Sequence, residues 1–306
     1  MLDITTDICR IKLANPTVLA SGIVGVSGAA LVFAAKNGAG AVVSKSIGHK
    51  EREGHNNPVL VEFEGGFLNA VGLPNSGVEN TIDEIKFAIK HSASPVIASI
   101  FGGTKEEFGF VAKRISEAKP PLIEVNLSCP NTASDFGMPF ALSSKDAMEV
   151  ISIVKDNTKI PVIAKLAPNV PNIKEIAKAV AAAGADAISA INTMPGMVID
   201  IKTAKPILHN KEGGVSGPAL KPIAVKCIYD IYECVDVPVI GIGGVTYGRD
   251  AIELMMAGAS AVQIGTGIYY RGIEIFRKVS EEIEAFLQEH GYGKLKDIIG
   301  IAHGDR

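Results

Sequence analysis

The sequence predicts an α/β barrel that forms a single domain over residues 1–306. Eight short apolar runs, rich in β-branched residues, alternate with amphipathic stretches, as expected for parallel strands covered by helices. Eight β–α units are the number that closes a (β/α)8 TIM barrel, which typically takes ~250 residues. Polar residues and glycines follow most of the apolar runs, at the edge where this fold collects its chemistry. A doubly wound open sheet is the alternative arrangement of the same units.

The strand and helix candidates follow one another along the chain. The strand candidates cover residues 17–20, 41–44, 95–100, 122–126, 161–164, 186–191, 238–242 and 261–264. Amphipathic periodicity predicts helices over 82–91, 146–158, 173–183 and 249–257. Gly38, Gly184 and Gly258 stand just before strands, where a glycine suits the left-handed end of a helix.

Three segments fall outside this alternation. Residues 48–76 and 194–220 are long, rich in glycine and proline, and follow strands. We therefore expect both to be long loops that cover the C-terminal mouth of the barrel. Residues 4–13 are compatible with an N-terminal hairpin that plugs the opposite end.

Composition and charge exclude several classes of protein. A formal net charge of −3 without a Lys/Arg-rich run argues against nucleic-acid binding, and no apolar run approaches the ~20 residues of a membrane span. Cys9, Cys129, Cys227 and Cys234 form no C-x-x-C pair, so we expect no metal or iron–sulfur site in this chain. Scattered cysteines and an N-terminus without a signal-peptide pattern favour a cytoplasmic protein.

Two lysines directly follow apolar strand candidates. Lys45 comes after the run 41–44, and Lys165 comes after the run 161–164. A buried ammonium needs an anionic or strongly polar partner, so a lysine at each of two strand ends indicates a ligand site, although either side chain alone could reach solvent. The other residues of interest at the strand ends are Ser21, Ser46, Asn126, Asn192, Thr193, Gly243, Gly244, Gly265 and Thr266.

The most informative motif is Val-Asn-Leu-Ser-Cys-Pro-Asn at residues 125–131. Pro130 ends regular structure after an apolar strand, so Cys129 is expected where the strand opens into a loop, with Asn126 and Asn131 on either side. A thiol can remove or donate a proton, and amide side chains orient a polar ligand. A buried structural cysteine is the alternative interpretation.

Glycines after the last two strands predict a phosphate site. Residues 241–245, Gly-Ile-Gly-Gly-Val, precede a helix that begins near Tyr247, and residues 265–267 follow the eighth strand. Glycines let backbone N–H groups approach a phosphate, and a helix N-terminus adds its dipole. The third glycine of the dinucleotide pattern would fall at Thr246, so this segment favours a mononucleotide over NAD. Glycines that serve tight turns alone are the alternative.

Residues 69–75, Asn-Ala-Val-Gly-Leu-Pro-Asn, add amides in the first long loop. Together with Asn126, Asn131 and Asn192 they predict an amide-rich pocket. Such a pocket would bind a ligand that bears several carbonyl and N–H groups.

These motifs resemble the dihydroorotate dehydrogenase family, flavoenzymes of pyrimidine biosynthesis, and the resemblance covers almost the whole chain. Its strongest pieces are residues 69–75, 126–131, 162–169 and 213–219, and residues 243–244 and 265–266 resemble the family's grip on the FMN phosphate. With a cysteine at position 129 the chain resembles class 1 of the family, because class 2 enzymes carry a serine at that position. The segment 192–218 is similar to the 1B subclass.

The resemblance implies that this chain oxidises dihydroorotate to orotate with one bound FMN. It implies Cys129 as the base, FMN as the hydride acceptor, Lys165 beside the flavin, and Lys45 in contact with both flavin and substrate. In subclass 1B a homodimeric core passes electrons to a second subunit that carries FAD and a [2Fe–2S] cluster, and finally to NAD. A class 1A enzyme, which uses fumarate, is the alternative within the family.

The resemblance also implies two sets of binding residues. The FMN set is Ser21, Lys45, Ser46, Ser99, Asn126, Lys165, Ile191, Gly217, Gly243, Gly244, Gly265 and Thr266. The substrate set is Lys45, Asn69, Ala70, Val71, Gly72, Leu73, Asn126, Asn131, Asn192 and Thr193. Ser99 departs from the family pattern, because many relatives have an asparagine at this position.

Other functions remain open on the same scaffold. A dihydropyrimidine dehydrogenase or a dihydrouridine oxidoreductase would use similar FMN loops and a cysteine acid. A dihydrouridine oxidoreductase acts on RNA and requires a basic face, which the net charge of −3 argues against. A dihydropyrimidine dehydrogenase requires less positive charge, because uracil has no carboxylate for a lysine to bind. A phosphate-binding barrel that serves only as an assembly subunit is the non-enzymatic alternative, and it predicts a colourless protein.

Overall fold

The computed structural model describes residues 2–127 and 140–304. A closed parallel barrel of eight strands forms in the order β10-β11-β12-β17-β18-β3-β4-β9. Its strands are β3 (Thr17–Leu19), β4 (Ala41–Val43), β9 (Val96–Ile100), β10 (Leu122–Asn126), β11 (Val162–Leu166), β12 (Ala187–Ala190), β17 (Val239–Ile242) and β18 (Ala259–Ile264). Each lies where the sequence predicts a strand, so the TIM-barrel prediction is confirmed and the open sheet is excluded.

Helices connect the strands on the outside of the barrel. In the described part of the chain the α-helices are Gly28–Lys36, Val78–His91, Lys105–Ile115, Ser144–Asn157, Ile173–Ala182, Lys221–Tyr232, Gly248–Met256, Gly267–Arg271 and Ile275–Glu289. The helix Val78–His91 shows why they form: residues 78, 82, 85 and 88 lie on one face and are buried, while charged residues lie between them. The four predicted helices are confirmed. None of these described helices is long and apolar enough to cross a bilayer.

The three predicted helix stops also have the expected backbone. Gly38, Gly184 and Gly258 have φ angles of +99°, +94° and +122°, which side chains other than glycine rarely adopt. Each ends a helix just before a barrel strand, as the sequence predicts.

The barrel interior is apolar at its N-terminal end. We call this the apolar layer: Val18, Ala41, Val43, Ile97, Leu122, Ile163, Ala187, Ile240 and Ala261. Strands β1 (Thr6–Ile8) and β2 (Ile11–Leu13) pair as an antiparallel hairpin, and Ile8 and Leu13 are buried in the same cluster. The hairpin therefore plugs this end of the barrel, which confirms the interpretation of residues 4–13.

A second layer follows two residues further along the strands. Side chains in a strand alternate between faces, so positions i and i+2 point the same way. Two residues beyond apolar-layer positions 122, 163, 187 and 261 stand Glu124, Lys165, Ser189 and Gln263, all buried. We call these four residues the polar layer. The barrel therefore changes from apolar to polar within one strand repeat, toward the C-terminal end.

The two long segments lie over the C-terminal mouth of the barrel, as the sequence predicts, and they also form short strands that it does not predict. They contribute β6 (Leu60–Phe63), β7 (Gly66–Asn69), β13 (Met194–Gly196) and β16 (Gly213–Ser216) to one antiparallel sheet, in the order β13-β16-β7-β6. Smaller pairs are β5 (Glu51–Arg52) with β8 (Asn75–Ser76), and β14 (Ile199–Asp200) with β15 (Lys205–Pro206). Strands of two to four residues broken by glycine and proline are too short to show a clear period in sequence.

Candidate active site

A cavity of about 520 Å³ lies at the C-terminal ends of the barrel strands. Its walls come from the strand ends and from the antiparallel sheet above them. This position and size are usual for an enzyme site in this fold. The predicted site residues that line the cavity are Ser21, Lys45, Ser46, Asn69, Val71, Gly72, Leu73, Asn126, Lys165, Ile191, Asn192, Thr193, Gly217, Gly243, Gly244, Gly265 and Thr266.

Among the described residues, two predicted site residues, Ser99 and Ala70, are not part of this lining. Ser99 is fully buried behind Ser46, and their hydroxyl oxygens are 3.0 Å apart. Ala70 is also fully buried, and its carbonyl oxygen lies 3.2 Å from Nδ1 of His55. Cys129 and Asn131 lie outside the described residues. Ser99 and Ala70 therefore lie in the protein interior, next to residues 46 and 55, and not in the cavity wall.

A chain of hydroxyl and amide groups runs along one wall. Nδ2 of Asn192 donates to Oδ1 of Asn126, and Nδ2 of Asn126 donates to Oγ of Ser46, both at 3.4 Å. The Ser46 hydroxyl also lies 3.3 Å from that of Ser21. Oδ1 of Asn192 accepts from the backbone N–H of Thr193 at 2.8 Å. Four strand ends are joined in this way, so the amides are held in fixed orientations that can recognise a polar ligand.

The sequence analysis missed the carboxylate on which the polar layer is built. Glu124 has no exposed surface, and its oxygens accept from Nζ of Lys165 at 3.2 Å, Oγ of Ser189 at 3.0 Å and Nε2 of Gln263 at 2.6 Å. A charged residue among the apolar residues 122, 123 and 125 was the available signal. Lys165 thus has the anionic partner that the sequence analysis required of a buried ammonium.

Gln263 lines the cavity and is itself an incomplete hydrogen-bonding group. Its Nε2 is used by Glu124, whereas its Oε1 is buried and has no hydrogen-bond partner among the described residues. A buried acceptor without a donor is costly, about 1–3 kcal/mol. Beside the Lys165 ammonium, this oxygen makes a donor–acceptor pair that suits a ligand with a carbonyl next to an N–H.

Glycines make close backbone approach possible on the opposite wall. Gly217, Gly243 and Gly244 have φ angles of +98°, +135° and +75°. A β-carbon on Gly243 would come within 2.6 Å of Cβ of Ala224, and one on Gly244 within 2.7 Å of Cβ of Lys221. Both the backbone conformation and the space therefore require glycine here, and bare backbone faces the cavity.

The helix that begins after these glycines does not provide the expected positive end. The backbone N–H groups of Thr246 and Tyr247 donate to Oδ2 of Asp250 at 3.0 and 2.8 Å, and that of Gly248 donates to Glu282. Two protein carboxylates therefore already occupy the helix start. This part of the sequence prediction is wrong, because an acidic residue in the first turn and another from the helix Ile275–Glu289 satisfy these donors. An anion at this place would therefore be bound by the glycine backbone and not by the helix start.

The loop 69–73 is held from behind by polar contacts. Nδ2 of Asn69 donates to the carbonyl oxygen of Gly214 at 3.1 Å, and Nε of Arg52 donates to the carbonyl oxygen of Gly72 at 2.6 Å. Gly72 and Leu73 have φ angles of +77° and +54°, so two consecutive residues are left-handed. For Leu73 this costs about 1–2 kcal/mol, which the surrounding contacts must offset.

The described cysteines lie away from the cavity. Burial, with the nearby Asp186 carboxylate, raises the pKa of Cys9 to about 12, and burial raises the pKa of Cys227 to about 11. Burial also raises the pKa of Cys234. These thiols are protonated near neutral pH and are poor nucleophiles or bases. Among residues 2–127 and 140–304, no group of three or more His, Cys, Asp or Glu side chains could hold a metal ion.

Comparison with solved structures supports the fold. The crystal structure of a dihydroorotate dehydrogenase from Eimeria tenella, in complex with ferulenol, superimposes with a TM-score of 0.85. The match covers 99% of this chain and 89% of that one, at 22% sequence identity. Identity this low establishes the barrel architecture alone.

Sequence comparison goes further. The family model described as dihydroorotate dehydrogenase matches residues 3–287. The relative from Methanocaldococcus jannaschii is 51% identical, with 97% of each chain covered, and the one from Methanosarcina acetivorans is 48% identical, with 96% of this chain and 94% of the relative covered. Both are named dihydroorotate dehydrogenase B (NAD(+)), catalytic subunit. The chain therefore belongs to the dihydroorotate dehydrogenase family.

Proposed function

We propose that this chain is the catalytic subunit of an NAD-linked, class 1B dihydroorotate dehydrogenase and that it oxidises dihydroorotate to orotate with bound FMN, for pyrimidine biosynthesis in the cytoplasm. The observation that carries the proposal is a cavity whose polar residues match its chemistry, in a chain about half identical to enzymes of that name. The 1B reading is preferred to the fumarate-using class because these relatives are named NAD-dependent enzymes.

The residues of the cavity fit FMN. Gly217, Gly243 and Gly244 leave bare backbone that suits a phosphate, with Gly265 and Thr266 beside them in the lining. The flavin ring bears a carbonyl next to an N–H, which matches the ammonium of Lys165 and the unpartnered Oε1 of Gln263. The remaining proposed contacts to FMN are Ser21, Lys45, Ser46, Asn126 and Ile191, with Ser99 supporting Ser46 from behind.

The amide-rich wall fits dihydroorotate. We propose that the ring carbonyl and N–H groups and the carboxylate of the substrate are bound by Asn69, Asn126, Asn192 and Thr193. Asn131 and the backbone of residues 70–73 contact the same substrate in our proposal. Lys45 lines the same cavity and supplies positive charge for the carboxylate. This charge favours dihydroorotate over dihydrouracil, which carries no carboxylate.

The chemistry requires a proton and a hydride to leave neighbouring carbons, so that a C=C bond forms. FMN, when bound, supplies the hydride acceptor. Cys129 takes the proton as thiolate in our proposal, and an unperturbed thiol is mostly protonated near neutral pH, so the thiolate is a minority there. Lys165 stabilises negative charge that develops at the adjacent ligand edge, as a preorganised cation does in a water-poor site. The amide wall holds the substrate so that the proton faces the thiol.

A partner subunit completes the proposed enzyme. The name of the relatives specifies a catalytic subunit, so this chain would assemble with another kind of subunit. We propose a homodimeric core that binds an FAD and [2Fe–2S] subunit, which would carry electrons to NAD.

One anaerobic experiment tests the function. The purified protein should be yellow, and dihydroorotate should bleach its flavin spectrum, whereas dihydrouracil should bleach it at least about tenfold more slowly. Equal rates would favour a dihydropyrimidine dehydrogenase, and a colourless protein that takes up no FMN would favour a non-enzymatic barrel. Turnover with NAD after the partner is added, but not with fumarate, would distinguish subclass 1B from 1A.

A further inference from the structure

The polar layer contains a buried carboxylate, that of Glu124, which has no role in the proposed mechanism. Glu124 is fully buried in β10, and the side chain of Lys165 in β11 is 7% exposed. The two form an ion pair with Nζ 3.2 Å from Oε1. Replacing buried ion pairs by apolar residues often leaves stability unchanged or improves it, so such a pair is weak evidence for a stabilising role.

The neighbours of Glu124 indicate what the carboxylate does. Gln263 reaches it from β18, which lies on the far side of the closed barrel from β10. Because Nε2 of Gln263 donates to Glu124, the amide is fixed with its oxygen as the unpartnered acceptor. Lys165 and Gln263 both line the cavity, whereas Glu124 and Ser189 do not. One carboxylate therefore orients two cavity-lining groups of opposite hydrogen-bonding character.

We propose that Glu124 is a positioning residue that sets the redox balance of the bound flavin through Lys165. Its carboxylate holds the ammonium and the Gln263 amide against the ligand edge, and its negative charge offsets part of the ammonium's positive charge. The cavity is thus less positive than Lys165 alone would make it. This inference rests on the proposed function, because it requires FMN to bind in this cavity.

The sign of the effect follows from charge. A reduced flavin is more negative than an oxidised one, so positive charge at its edge favours reduction. Replacing Glu124 by Gln keeps the size of the side chain and removes one negative charge next to the ammonium. We therefore expect the ratio of the affinities for reduced and oxidised flavin to be about tenfold higher in E124Q than in the parent. A tenfold change in this ratio raises the two-electron midpoint potential by about 30 mV.

The potential is measured by dye-coupled reductive titration without substrate, at about pH 6, far below the range in which a lysine ordinarily titrates. The matched control is Ser189→Ala, which removes a hydrogen bond from the same carboxylate at the same depth but no charge. We expect its shift to be less than half of the E124Q shift. Equal shifts in the two variants would show a structural disturbance and overturn the proposal.

A double-mutant cycle tests the route through Lys165. In a Lys165→Met background, changing Glu124 to Gln should move the potential by less than a third of its effect in the parent. An undiminished shift in that background would mean that Glu124 acts without Lys165, and an unchanged potential in E124Q would mean that it does not act at all. Either result contradicts the proposal.

A conservative variant covers the case in which E124Q does not fold. Glu124→Asp keeps the charge but withdraws it from the ammonium by one methylene, so the potential should rise by less than in E124Q and by more than in Ser189→Ala. A potential equal to that of Ser189→Ala would overturn the proposal. A parent protein that carries flavin but is not reduced by dihydroorotate would contradict the proposed function, while these potentials would still test the role of Glu124.

Discussion

The two ends of the barrel differ although the same strands build both. At the N-terminal end the apolar layer is sealed by the hairpin 6–13, and its members have little or no exposed surface. At the C-terminal end, one strand repeat later, the four inward positions of the polar layer are charged or polar and a cavity opens. Two successive residues on one face of a strand can therefore serve different purposes, the first the stability of the barrel and the second its chemistry.

The largest expected effect on the chemistry assigned to the open end is that of a substitution at Cys129. If the open end does the chemistry, Cys129→Ala should keep its flavin while reduction by dihydroorotate slows by about 10²–10⁴-fold, the usual contribution of a positioned base. Stopped-flow absorbance under anaerobic conditions measures this. Cys129→Ser should recover part of the rate, and only at higher pH, because a hydroxyl is a far weaker acid. Near-parental reduction in the alanine variant would remove Cys129 from its proposed role.

Lys165→Ala should affect both chemistry and stability. Loss of the cation is expected to slow flavin reduction by about 10²-fold or more. It also leaves Glu124 as an uncompensated buried carboxylate, and breaking a buried pair in this way typically costs about 3–5 kcal/mol in the free energy of unfolding. Urea unfolding with and without FMN measures the second effect. A variant with parental stability and parental rate would show that the polar layer has neither role.

The closed end should show the opposite pattern. Leu13 is 1% exposed in the hairpin, and Leu13→Ala should lower the free energy of unfolding by about 2–5 kcal/mol through cavity formation. The rate of reduction per bound flavin should stay within about twofold of the parent. The control is Ile201→Ala, at a side chain that is 92% exposed, where we expect a change within about ±0.5 kcal/mol. A large rate loss in Leu13→Ala would mean that the two ends are coupled.

The smallest expected effect is a pH dependence at the closed end. The pKa of Cys9 is about 12 in the folded protein, against an ordinary value of 9.0, because of burial and then the Asp186 carboxylate. Between about pH 9 and 12 the unfolded thiol loses its proton while the folded thiol keeps it. The unfolded state then binds fewer protons, so the free energy of unfolding falls as the pH rises.

Cys9→Ala should make this decline shallower, which urea midpoints at a series of pH values between 8 and about 10.5 would detect. Cys227, whose pKa is raised to about 11, contributes a decline of the same sign. A slope identical to that of the parent would show that Cys9 titrates in the same way in both states.

Much of the barrel and of its open rim was predictable from sequence. Short β-branched runs in a parallel barrel are apolar whichever face they present, and the helix-ending glycines Gly38, Gly184 and Gly258 mark where three of the strands begin. The polar residues after these runs gather at one end because all eight strands point the same way. That is why Lys45, Asn126 and Lys165 could be assigned to one cavity without knowledge of the strand order.

The polar layer could not be predicted in the same way. Glu124 stands 139 positions before Gln263, and the two meet only because the sheet closes and places β10 opposite β18. Sequence periodicity shows which face of a strand a residue is on, but not which strand lies across the barrel. The antiparallel sheet of the long segments was missed for a related reason, since its central pair, β7 with β16, joins residues about 145 positions apart.

That sheet has a consequence for how such enzymes diversify. Strand β7 comes from the first long segment and β16 from the second, and they pair through Phe67 with Ser216 and Asn69 with Gly214. Transplanting one segment alone into a related barrel would leave an unpaired β-edge exposed and the loop 69–73 without its hydrogen bond to Gly214. We therefore expect the two long segments to change together in evolution. Attempts to engineer a new substrate preference should exchange both segments at once.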